Sequence, residues 1–186
     1  MSVIFARIDR MDITYSQTDS IKLTGKGLTI AIDAPTGAKV DVALFSALQE
    51  ERPGLTSFDS PGEYEVKGSM IDGVALGEGT TAYRVDMEDI RLGYLPVFPT
   101  DGNKSVDVLS GAEVLFVPLA GVEVEKVAKL VASLEPRVVV PIKYSEAELK
   151  AFLAEMGAKD IQPTDKLKLQ RKDIVEDKQE IAVLKG

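Results

Sequence analysis

Residues 113–144 read EVLFVPLAGVEVEKVAKLVASLEPRVVVPIKY, and this stretch decides the architecture. Val114-Leu115-Phe116-Val117-Pro118 is an unbroken apolar run, the pattern of a strand covered on both faces. Val124, Val127, Ala128, Val131 and Leu134 then recur at helical spacing on one face. Pro136 stops that helix, because it lacks an amide to donate and its ring clashes with the preceding turn. Residues 138–142 form a second buried strand. Immediately downstream, Ser145 and Glu148 make a capping box, in which hydroxyl and carboxylate satisfy each other's exposed amides. Leu149, Phe152, Leu153 and Met156 line one face of the helix that follows, and Gly157 is placed for its left-handed cap. A final strand is read over residues 181–184.

Working outward towards the N-terminus, the pattern becomes strands joined by turns. Strands are expected at residues 3–6, 13–15 and 21–23, the last with one wet face, and at 28–33, ended by Ala34-Pro35-Thr36-Gly37. Residues 40–45 are mostly apolar, as for a strand covered on both sides. Two long β segments, 62–76 and 80–95, are separated by a Gly77-Glu78-Gly79 hairpin turn, with a tighter reversal at Asp86-Met87-Glu88-Asp89. Residues 49–54 and 96–107 read as loops. Neither an internal repeat nor a low-complexity linker interrupts residues 1–186, so they are expected to form one domain. A β-rich half followed by strand-helix-strand-helix predicts sheets packed together with helices outside.

The 186 residues contain no histidine and no cysteine. Imidazole and thiolate are the usual ligands of zinc and most transition metals, and histidine is the default general base near neutral pH. Ser-His-Asp and Cys-His catalysis, structural zinc and disulfides are therefore excluded. The net charge of −8 argues against nucleic acid as a partner, since phosphate binding needs a basic surface. The local basic run Lys166, Lys168, Arg171 and Lys172 reads as a solvated strand and turn. No apolar run approaches the roughly 20 residues that span a bilayer, so no membrane partner is expected. The opening MSVIFARIDRMD meets charge too early for a signal peptide, which makes the cytoplasm the expected location.

The order of elements resembles the metallo-β-lactamase fold, in particular the small metal-dependent hydrolases that include L-ascorbate-6-phosphate lactonase-like proteins. Three segments carry most of the resemblance: Ser60-Pro61-Gly62-Glu63-Tyr64-Glu65-Val66-Lys67-Gly68, residues 114–121 and residues 135–144. Ile30-Ala31-Ile32-Asp33-Ala34-Pro35 adds a strand ending in an Asp-Pro-type turn. The resemblance implies a compact four-layer αββα sandwich, and it also implies a metal site that this chain does not spell. Where the family's His-x-His-x-Asp-His loop falls, the residues are Ala47, Gln49, Glu51 and Arg52. Val97 stands for the bridging aspartate, and Lys143 for the histidine before Tyr144. Only Glu51 keeps the ligand type its position requires.

Two cations at former ligand positions oppose a divalent metal, each contact being worth roughly 4 kcal/mol at about 4 Å and an effective dielectric near 20. Lys143 is expected to replace the lost metal charge by pairing with Glu51, Glu50 or Asp33. The residual cleft is drawn from Asp33, Glu50, Glu51, Tyr94, Lys143 and Tyr144, with no catalytic residue, metal or cofactor assigned. The reading is a metal-free pseudoenzyme kept for binding or assembly, with a protein partner or self-association. One alternative is a phosphoester or lactone hydrolase with a carboxylate metal site at Asp33, Glu50 and Glu51. Another is a sensor whose Lys143 and Arg52 receive a small anion.

Overall fold

Period-two alternation governs the first half of the chain. β1 (Met11–Tyr15), β2 (Ile21–Gly25) and β3 (Leu28–Ile32) send Met11, Ile13, Ile21, Leu23 and Ile30 into the core, while the intervening residues point outward. β4 (Val42–Leu44) and β5 (Thr56–Phe58) follow. β6 (Gly62–Val66), β7 (Ser69–Gly77), β8 (Thr80–Met87) and β9 (Ile90–Tyr94) then run as an antiparallel meander. β10 (Val114–Pro118), α1 (Val124–Leu134), β11 (Val138–Ile142) and α2 (Glu146–Glu155) supply the expected alternation of strand and helix. β12 (Leu167–Leu169) and β13 (Glu180–Ile181) complete the set. The computed structural model describes residues 10–186 except 17, 26, 51, 78, 100–103 and 160.

The strands form two sheets, one of six in the order β12-β1-β2-β3-β4-β5 and one of seven in the order β13-β11-β10-β9-β8-β7-β6. β9, β10, β11 and β13 are mutually parallel, with α1 as the crossover from β10 to β11. β10 and β11 are buried at every position, which is why their sequences are continuous apolar runs. Between the sheets lies the main core, where Ile30, Leu44, Tyr83, Phe116 and Val140 meet. The outer face of the seven-stranded sheet buries Leu115, Val117 and Val139 against Val127, Leu130 and Val131 of α1 and Phe152 of α2.

This is a sandwich of the metallo-β-lactamase type, and it departs from the expected layering in one place. Both α-helices sit on the seven-stranded sheet. Among the described residues no helix covers the outer face of the six-stranded sheet, where Ala31, Ala43 and Phe45 are buried instead with Ala34, Ala38, Val40 and Leu55 from loops. Segment 62–76 is also two strands rather than one, because Lys67 (φ 50°) and Gly68 (φ 83°) turn the chain back. Loop 96–107 runs into a short 3-10 helix, Lys104–Leu109, that buries Val106 and Leu109. The strand expected at residues 3–6 lies outside the described residues. Among the described residues no helix is long and apolar enough to cross a membrane.

Candidate functional site

Five strand ends converge at one rim of the sandwich: β1, β3, β4, β9 and β11. Asp33 follows β3 in the left-handed region (φ 52°), a conformation that short polar side chains tolerate. Its carboxylate accepts from the Ser46 amide (2.7 Å), the Ser46 hydroxyl (2.9 Å) and the Tyr94 hydroxyl (2.5 Å). Tyr94 ends β9 and is 1% exposed. Burial, then the neighbouring Asp33 charge, pushes its phenol well above the ordinary range. The contact ties the two sheets together.

A second tie lies beside the first. The Tyr15 hydroxyl, at the end of β1, donates to Asp19 and accepts from the Lys143 amide at 2.9 Å. Burial, then the bond to Asp19, raises the Tyr15 pKa. Lys143 follows β11 with φ 50°, a conformation that aims its amide inward at Tyr15. Its ammonium donates to the Pro96 carbonyl at 3.0 Å. Of the three expected partners, neither Asp33 nor Glu50 pairs with Lys143 among the described residues, and Glu51 lies outside them.

The remaining expected site residues are scattered. Ala47 forms an isolated bridge with Thr80 and has no donor atom to offer. The Gln49 side chain reaches back to Ala47 O and Arg52, and Glu50 is exposed. Arg52 donates to the Ala34 carbonyl (3.1 Å) and lies over the Phe45 ring, 4.5 Å from its centroid, on the outer face of the six-stranded sheet. No contact brings it to Lys143. Val97 is 47% exposed, so an apolar side chain stands where the resemblance calls for the bridging aspartate. Tyr144 falls on the helix side of the seven-stranded sheet, donating to Leu184 O at 3.0 Å, and does not face the rim.

Sequence reasoning passed over Ser46, Tyr15 and Asp19. It also missed Tyr83, whose buried hydroxyl lies 2.8 Å from Phe45 O and links β8 to the end of β4. The only signal for Ser46 was its position directly before the altered ligand loop.

The donor set formed by the described residues does not fit a divalent metal. Among the described residues no three carboxylates, imidazoles or thiolates converge. The one carboxylate at the rim's centre already accepts three hydrogen bonds, and the nearby cation is held by a carbonyl.

Fold and rim together define a sandwich of the metallo-β-lactamase class with its ligand positions substituted. The chain belongs to that superfamily: a family profile described as "Beta-lactamase superfamily domain" matches residues 12–143. No curated protein matches it in sequence. Among solved structures, it is similar to a protein of the metallo-β-lactamase superfamily from Thermotoga maritima, at 19% identity and TM-score 0.74, covering 94% of this chain and all of that one. Igni18, a metallo hydrolase from Ignicoccus hospitalis, shows 14% identity and TM-score 0.61, covering 87% and 99% of the two chains. The metallo-β-lactamase fold protein YhfI from Bacillus subtilis shows 8% identity and TM-score 0.64, covering 96% and 97%. At these identities the likeness is one of fold.

Proposed function

We infer that this chain is a metal-free, catalytically silent member of its superfamily, a pseudoenzyme whose sandwich serves as a binding or assembly module in the cytoplasm. The observation that carries the reading is the state of Asp33. Its carboxylate accepts three hydrogen bonds, one on Oδ1 and two on Oδ2, out of about four lone-pair positions, so Ser46 and Tyr94 compete with a metal for it. Displacing those donors would leave a buried hydroxyl and an amide unpaired, at roughly 1–3 kcal/mol each. Function in such folds resides in grafted sites rather than in the scaffold, so a silent rim leaves the outer surfaces to do the work.

The test is elemental analysis after incubation with Zn²⁺, Mn²⁺ or Mg²⁺ and desalting, alongside turnover of phosphoester and lactone panels. Metal far below one ion per chain and no turnover are expected. A stoichiometric ion lost in Asp33→Ala, or turnover that needs Asp33 or Glu50, would restore the hydrolase reading. A thermal shift with phosphate that vanishes in both Lys143→Met and Arg52→Met would replace assembly with anion sensing.

A further inference from the structure

The six-stranded sheet turns to the outside a surface unlike the rest of the chain. Opposite the core residues of β1, β2, β3 and β12 stand Arg10, Asp12, Lys22, Thr24, Lys166 and Lys168. The register sets Asp12 between Lys168 and Thr24, and Thr14 beside Lys22. Three cations, Arg10, Lys166 and Lys168, thus act on one carboxylate, which Arg10 (3.2 Å) and Lys166 (3.1 Å) both engage, with Lys22 in the next pair on that face. Among the described residues Lys22 and Lys168 have no ion-pair partner. In a protein of net charge −8 this face is locally positive. Among the described residues it carries no aromatic ring on which a base could stack, which disfavours single-stranded nucleic acid as its occupant. Among the described residues no helix lies over it.

The opposite charge lies on the free edge of the other sheet. β6 is the terminal strand, and its alternation exposes Glu63 and Glu65 while Tyr64 stacks on Phe58 at 4.0 Å. Among the described residues neither glutamate has a hydrogen-bond or ion-pair partner. Asp72 stands beside Glu63 in register, so negative charge extends inward from the edge until Arg84 answers it.

We propose that the cationic outer face of the six-stranded sheet docks the acidic β6 edge of a second copy of this chain. The inference rests on the reading of the chain as an assembly module and names its partner. Because the two patches are different surfaces, the contact is head-to-tail, growing into a ring or an open chain rather than closing as a two-fold dimer. A contact built on exposed charge is steered and specified electrostatically, and salt weakens it.

The experiment is sedimentation velocity with the full chain at rising concentration, in about 0.02 M and about 0.5 M salt, where the screening length differs roughly five-fold. Mass should climb with concentration in low salt and return to monomer in high salt. The variants Glu63→Lys/Glu65→Lys and Lys22→Glu/Lys168→Glu, each checked for wild-type circular dichroism, should stay monomeric alone and associate when mixed, because each supplies the charge the other lacks. A wild type that remains monomeric in low salt overturns the proposal, as does a single variant that associates like wild type or a mixture that fails to recover. Monomeric protein that retards an oligonucleotide through Lys22 and Lys168 would assign the face to nucleic acid instead. Metal retention and turnover are measured separately, so failure of self-association leaves the metal-free reading standing or falling on its own test.

Discussion

Replacing Tyr94 by Phe removes one hydroxyl from the most enclosed part of the rim and tests the reading of that rim as a structural tie. The hydroxyl donates to the Asp33 carboxylate at 2.5 Å from a residue that is 1% exposed. Hydrogen bonds to charged groups contribute about 1.5–3 kcal/mol, and Ser46 still supplies Asp33 with two donors, so a loss of about 1.5 kcal/mol is expected at pH 7. Urea unfolding measures it directly. An alkaline signature follows from the raised pKa of Tyr94, caused by burial and then by Asp33. The folded state keeps this proton where the unfolded chain releases it. Its stabilising contribution is therefore complete below about pH 10 and is lost as pH climbs from there towards the raised folded value, at about 1.4 kcal/mol per unit. Phenylalanine cannot titrate, so the gap between wild type and variant should close and cross near about pH 11. Tyr15 and Tyr83 are raised as well, mainly by burial, and they steepen the alkaline limb equally in both proteins. A gap that stays constant from pH 7 to pH 11, or a neutral-pH loss below about 0.5 kcal/mol, would show that the hydroxyl is neither buried nor bonded as described.

Other outcomes follow from local geometry. Gly73→Ala places a Cβ 2.9 Å from the Ser60 carbonyl and 3.1 Å from Thr81 Cγ2, backbone and packed side chain that cannot both yield, and should destabilise by about 1–3 kcal/mol in thermal unfolding. Ser145→Ala removes the acceptor for the Glu148 amide at the start of α2 and should lower stability by about 1 kcal/mol, read from the same melts. Asp59 is held below the usual carboxylate value by the Gln49 amide and then by the Ser60 hydroxyl. Its contribution is present above about pH 4 and should disappear as pH falls through its lowered folded value, an acid limb that Asp59→Asn flattens.

Much of the fold was legible because local chemistry and burial agree. The capping box at Ser145 and Glu148 forms with both reciprocal bonds, and Gly157 takes φ 67° past the end of α2. Asp86-Met87-Glu88-Asp89 does reverse the chain, with Glu88 and Asp89 both left-handed. The turn at Lys67-Gly68 was hidden because strand-like alternation continues on either side of it, so period alone could not mark the break. The site was less legible for a different reason. Each former ligand position was read in isolation, and charge alone paired Lys143 with a carboxylate. Among the described residues the partner is the Pro96 carbonyl, and no property of a linear sequence states which loop passes over which turn. Tyr144 failed similarly: adjacent residues after a strand point to opposite faces, so Lys143 at the rim puts Tyr144 on the helix side.

The rim has to hold two sheets together at strand ends, where main-chain ladders stop and polar groups need partners. A bound cation could do this by gathering side chains from both sheets, but only if those side chains are otherwise unsatisfied. This chain takes the other course. Tyr94 to Asp33, Lys143 to Tyr15, Tyr83 to Phe45 and the Thr81 amide to Ser46 O each cross from one sheet to the other. A buried network that is satisfied within the protein is rigid, and one left half-satisfied is costly, so the two solutions compete for the same atoms. Ser46 shows the competition most directly: its amide and hydroxyl bind Asp33 while its carbonyl accepts from β8, leaving the start of the former ligand loop fixed by contacts a metal would have to break. On the metal-free reading proposed above, the absence of histidine and the closure of the rim go together, and placing imidazoles at positions 47 and 49 without also freeing Asp33 should not create metal binding.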